Sequence, residues 1–134
     1  MLLAFAVSWA LLLSPMQDPV KPVSHAEYEQ FQHCHGDFDG WYVIGLDLLS
    51  DDKQQLSEFR DGVGELYALF DELEADLDRP DRGFDAVAGH AAYASGHAVW
   101  DDFYERPNAD RWFAGATRLG ACRSLGNRII QFLG

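Results

Sequence analysis

"LSEFRDGVGELYALFDELEADL", residues 56–77, places Leu56, Phe59, Val63, Leu66, Phe70, Leu73 and Leu77 at alternating intervals of three and four. That period puts one apolar stripe on one face of a helix and leaves the acids between them on the other. The preceding "SDD" offers Ser50 or Asp51 as an N-cap, with acids in the first turn. In the following "DRPDRG", Pro80 ends the helix and Asp81 is the candidate cap of the next one.

The same period extends outward on both sides. From His25 to Leu49 the stripe is Tyr28, Phe31, His35, Phe38, Tyr42, Gly45 and Leu49. The third segment, Phe84 to about Tyr104, is alanine-rich and has two faces. Phe84, Val87, Ala91, Ala94 and Ala98 form a small-residue stripe that would let a neighbour approach closely. His90, Tyr93, His97, Trp100 and Tyr104 form a stripe of large amphipathic rings. After "ERPNAD", with Asn108 as cap, the fourth stripe runs Trp112, Ala116, Leu119, Cys122, Gly126, Ile129 and Leu133. No run shows sustained period-two alternation. Four helices of about six turns with short connections predict an all-α fold, an antiparallel up-down-up-down four-helix bundle.

In that topology the first and fourth helices are neighbours, and their cysteines fall at similar heights. Cys34 lies about nine residues into the first helix and Cys122 about eleven from Leu133, so at ~1.5 Å per residue their levels differ by about 3 Å. A Cys34–Cys122 disulfide is therefore expected, with Gly36, Gly120, Ala121 and Gly126 allowing close approach. It would close a loop of almost ninety residues and stabilise by roughly 4 kcal/mol on the chain-entropy account.

Residues 2–13 are apolar and uncharged, which is short for a membrane span and right for the core of a secretory signal. Cleavage after Ala26 divides the chain into a signal segment, 1–26, and the bundle, 27–134. The competing reading is an uncleaved anchor, the one route by which this chain would meet a membrane. Export, to a periplasm or its equivalent, also suits a paired cysteine. The net charge of −12, with Lys21 and Lys53 the two lysines, argues against nucleic acid and anionic membrane surfaces. It fits a soluble monomer or dimer that meets basic partners, and equally a salt-adapted source.

"GACRSLGNR", residues 120–128, together with the helix ends "GLDLLSDD" and "HAVWDDF", resembles the cytochrome c-prime group. That resemblance implies an exported four-helix bundle with haem attached through C-x-x-C-H near the end of the fourth helix. Here only Cys122 and the trailing Arg128 match. Leu125 stands in place of the second cysteine and Gly126 in place of the haem-ligating histidine. Low-spin members use a methionine on the first helix, and residues 27–134 contain none. The resemblance thus implies a relative whose family haem site is dismantled.

"FQHCHG", residues 31–36, offers a second haem reading, F-x-x-C-H. It resembles the one-cysteine attachment motif of some mitochondrial cytochromes c. Cys34 would supply the thioether, His35 the proximal nitrogen, and His90 or His97 the distal ligand of an electron carrier. Haem held noncovalently inside the bundle is a variant of this reading. The bland reading of His35 is a neutral, hydrogen-bonded core histidine. A third reading is a metal held by His35, His90 and His97 with partners such as His33, Asp37, Asp39 or Glu65. His90 and His97 are two turns apart, so each would need ligands from another helix. The other carboxylates are expected at helix starts and outward positions. No nucleophile–base signature or phosphate loop points to an enzyme. The leading expectation is a binding or structural module without covalent haem, its contact face His90, Tyr93, His97 and Trp100. The partner is an unidentified protein or small ligand.

Overall fold

The structure, a computed structural model, describes residues 21–133. It is all-helical. Helix α1 is His25–Leu48, α2 is Lys53–Leu77, α3 is Ala86–Ala98 and α4 is Ala109–Leu133, with a 3₁₀ turn at Pro80–Arg82 before α3.

Each helix starts where a side chain satisfies its free N–H groups. Ser24 and Glu27 form a reciprocal capping box on α1. Asp52 caps α2 through the N–H groups of Gln54 and Gln55, one residue beyond the expected Ser50 or Asp51. Asp85 caps α3 through Val87 and Ala88. The expected Asp81 instead pairs with Arg79 inside the 3₁₀ turn. Asn108 precedes α4 and accepts from Asp110 N at 2.9 Å.

Helix α1 is the hub, packing against all three other helices, while α3 rests on α1. Going up α1, Tyr28 meets Asp78, Phe31 meets Phe70 and Tyr42 meets Phe59, so the contacts descend α2. Likewise Glu27 meets Arg128, Cys34 meets Cys122 and Trp41 meets Trp112 down α4. Against α3 the contacts ascend, from Gly89 under Tyr28 to Trp100 over Gly40. The buried core runs through Phe31, Phe38, Phe70, Leu73, Leu77, Leu119 and Ile129, the stripes foreseen from spacing. Trp41 and Trp112 stack at 4.9 Å and 4°, each indole N–H donating to the other's carbonyl oxygen at 2.9 and 3.0 Å.

Helix α3 departs from expectation in two ways. It has 13 residues, under four turns, and Val99 to Tyr104 form turns instead of helix. Those turns bury Trp100 and Phe103, and Arg111 reaches back to Val99 O and to Asp102 at 2.7 Å, satisfying the helix end. The small-residue stripe also faces outward: Val87 is 80% exposed, and Ala91, Ala94 and Ala98 are exposed with it. The close approach is made by glycines on the other face. A Cβ on Gly36 would fall on Tyr93 O and 2.9 Å from His97 N, and one on Gly96 would fall on His33 O and 2.9 Å from Asp37 N. On α4, Ala116 is exposed and Gly115 takes the buried position under Trp41 and Trp100.

Candidate functional site

The Cα atoms of Cys34 and Cys122 are 5.6 Å apart, with their sulfurs at bonding distance. Both lie in a recess of about 470 Å³ shared with Gln30, His33, Asp37 and Arg118. Of the small residues expected to admit this pair, Ala121 lines the recess, while Gly36 admits α3, Gly120 has nothing within 4 Å, and Gly126 lies 3.2 Å from Phe70 by its would-be Cβ. Leu125 is half-buried on the same helix.

Asp37 sits beside the cysteines, 4% exposed. Trp100 Nε1 donates to its Oδ1 at 2.7 Å, and Arg118 donates to both oxygens at 2.9 and 3.0 Å. One buried carboxylate thus joins α1, the turn after α3, and α4. Sequence reasoning set Asp37 as a metal partner, but its oxygens are already held.

The other face of α1 carries a polar seam toward α2 and α3. Its centre is His35, 2% exposed and edge-on to Phe70 and Tyr93. His35 Nε2 lies 3.0 Å from Asp71 Oδ1 and 3.5 Å from Asp39 Oδ2. Its Nδ1 contacts Glu74 Oε2 but lacks hydrogen-bond geometry. Asp39 accepts from Tyr93 OH across to α3. One and two turns toward the start of α1, Gln32 Nε2 donates to Asp78 Oδ1 at 3.3 Å and Tyr28 OH to the same oxygen at 2.6 Å. His90 of α3, exposed, comes within 4.8 Å of Glu74 and Asp78.

Electrostatics follow from this crowding. Burial opposes charge on His35, but Glu74, Asp39 and Asp71 together outweigh it and hold the imidazole above its ordinary range. Contact with His35 holds Glu74 below the usual carboxylate range, and burial pushes Asp39 above it. Burial and the Asp39 carboxylate push the Tyr93 phenol up. As the bland reading expects, His35 is a hydrogen-bonded core histidine, with three acids around its ring.

The structure therefore brings only part of each expected ligand set together. His35 and His90 flank the same Glu74, whereas His97 is half-exposed at 3.8 Å from Asp101. Of the four proposed partners, Asp39 alone faces His35. His33 lines the cysteine recess, and Glu65 lines a surface groove with Arg123 and Asn127. Sequence reasoning missed Asp71, Glu74 and Asp78, treating α2 acids as an outward face. Their one legible signal was position, since Asp71 and Glu74 immediately follow the stripe residues Phe70 and Leu73. The expected contact face is also divided: Tyr93 turns to Asp39, while His97, Trp100, Asp101 and Tyr104 border a recess with Val43 and Ile44. A scan of family models and searches of curated proteins and solved structures found no match to this chain.

Proposed function

We propose that this chain is an exported helical binding module, an antiparallel up-down-up-down bundle stapled by Cys34–Cys122, that carries no covalent haem. The observation that supports this most is the meeting of the two sulfurs across α1 and α4. A cysteine committed to a disulfide has no thiolate to form a thioether, so one bond removes both attachment points, at Cys34 and at Cys122. His35 adds support, because Asp39, Asp71 and Glu74 occupy the surround of the imidazole that a haem iron would need as its axial ligand. The contact surface is the recess of about 210 Å³ bordered by His97, Trp100, Tyr104, Val43 and Ile44. It replaces the broader ring stripe, since Tyr93 is engaged by Asp39.

The test is the absorption spectrum of the full chain made in a bacterium with an active haem-attachment system. The expected spectrum has the tryptophan and tyrosine band and no Soret band, before and after denaturation. A Soret band that survives acid–acetone extraction would mean a thioether and would overturn the reading.

A further inference from the structure

We propose that His35, Asp71 and Glu74 hold one divalent first-row transition-metal ion in the seam between α1 and α2. This goes beyond the reading of the cysteines and does not depend on it.

The donor geometry supports it first. Each of the three residues offers a ligand atom within 4.8 Å of the other two. An ion with bonds of roughly 2.0–2.2 Å needs donors drawn about that close. The donors come from one rigid element each way, His35 from α1 and the pair Asp71 and Glu74, three apart, from one face of α2. One imidazole with carboxylates suits zinc, iron, manganese or cobalt, whereas calcium and magnesium take oxygen ligands.

Charge gives a second, separate reason. Arginines meet five acids, Asp37, Glu27, Asp76, Asp81 and Asp102, and the other described acids are mostly exposed to water, which the seam's are less able to use. Among the described residues no lysine or arginine pairs with Asp39, Asp71, Glu74 or Asp78. Four carboxylates converge on a half-buried seam with two histidines as the sole basic groups, and a dication is the partner they lack.

Orphaned polar atoms give the third. Asp39 Oδ1 and Oε1 of fully buried Gln32 are buried without a hydrogen bond, while Nδ1 of His35 rests against Glu74. Buried polar groups without partners are rare and ask for an explanation. An ion on the Nε2 side of His35, where Asp71 Oδ1 lies 3.0 Å and Asp39 Oδ2 3.5 Å away, would meet the imidazole and both carboxylates. Asp39 is itself held by Tyr93 of α3, the kind of outer contact that orients a group around an ion. The adjoining set of Glu74, Asp78 and His90 shares Glu74 but offers an exposed imidazole, so the ion is assigned to the His35 side.

The test is a Co²⁺ titration of the full-length oxidised protein after chelator treatment, read by visible d–d absorption. The expected result is one saturable equivalent. D71N and E74Q each weaken it at least about tenfold, and H90A leaves it within about twofold. Asp71 is 53% exposed, so D71N keeps the fold, which circular dichroism verifies. No saturable band up to millimolar Co²⁺ would overturn the proposal. So would unchanged binding in D71N and E74Q, or loss of binding in H90A alone, which would place the ion at exposed histidines. A failure here leaves the Soret test of the cysteine reading untouched.

Discussion

Asp37 takes three hydrogen bonds from two side chains that lie 63 and 81 residues away in sequence, Trp100 and Arg118. Replacing it with alanine strands a buried indole N–H, while Arg118, 44% exposed, can turn to water. D37A is therefore expected to lower unfolding stability by about 2–4 kcal/mol, measured by urea denaturation. Glu27 acts at the other end of α1, bonded to Arg128 at 2.6 Å and to Ser24 N at 3.1 Å. The Arg128 contact, with help from Ser24, holds its carboxyl down at about 2, against an ordinary value of 4.5. A depressed folded-state value means stability that is present above pH 4.5 and lost as pH falls toward 2. The wild type should exceed E27Q by up to about 1 kcal/mol at neutral pH, since the pair is solvent-screened. That difference should fade across the same acidic window in parallel denaturation curves. A constant difference down to pH 2 would show that Glu27 acts by packing.

At the scale of helices, what could be read from sequence was the face each one buries. The stripes of most of α1 and α4 and the second half of α2 are core, with Leu56 to Leu66 half-buried, because their spacing matches the helical period and their side chains need no distant partner to explain them. The extent of α3 was not legible. Residues 99–104 keep the helical period, but burial of Trp100 and Phe103 with the Arg111 contact ends the helix early. Alanines suggested the close face, yet glycine made it, since only a missing Cβ lets Gly36 and Gly96 touch the opposing backbone. Gly36→Ala and Gly96→Ala should each force α1 and α3 apart and cost at least about 1–3 kcal/mol. Gly62→Ala on α2 meets nothing within 4 Å and should stabilise by about 0.5–1 kcal/mol. Thermal melts of the three variants check the contrast. The seam around His35 stayed hidden for a related reason: Asp39 and Tyr93 are 54 residues apart, and no local pattern says which acids on a charged helix face inward.

For the molecule as a whole, α1 organises both sides of the fold. One face carries Asp37 and Cys34 toward α4, and the other carries His35 and Asp39 toward α2 and α3. A net charge of −12 would strain the chain, and the arginines that pair with acids lie where α1 and α4 meet and at the helix ends. The seam is left without them. The pairing of Cys34 with Cys122 was legible because bundle topology and helical rise fix relative height, even though the glycines credited with the approach act elsewhere and only Ala121 lines the cysteine recess. The most direct measurement on the central claim is the intact, non-reduced mass of the protein purified from a haem-competent periplasm. The account predicts a chain lighter by two hydrogens, with that difference restored on reduction. A chain carrying one extra haem, or two free thiols, would contradict it.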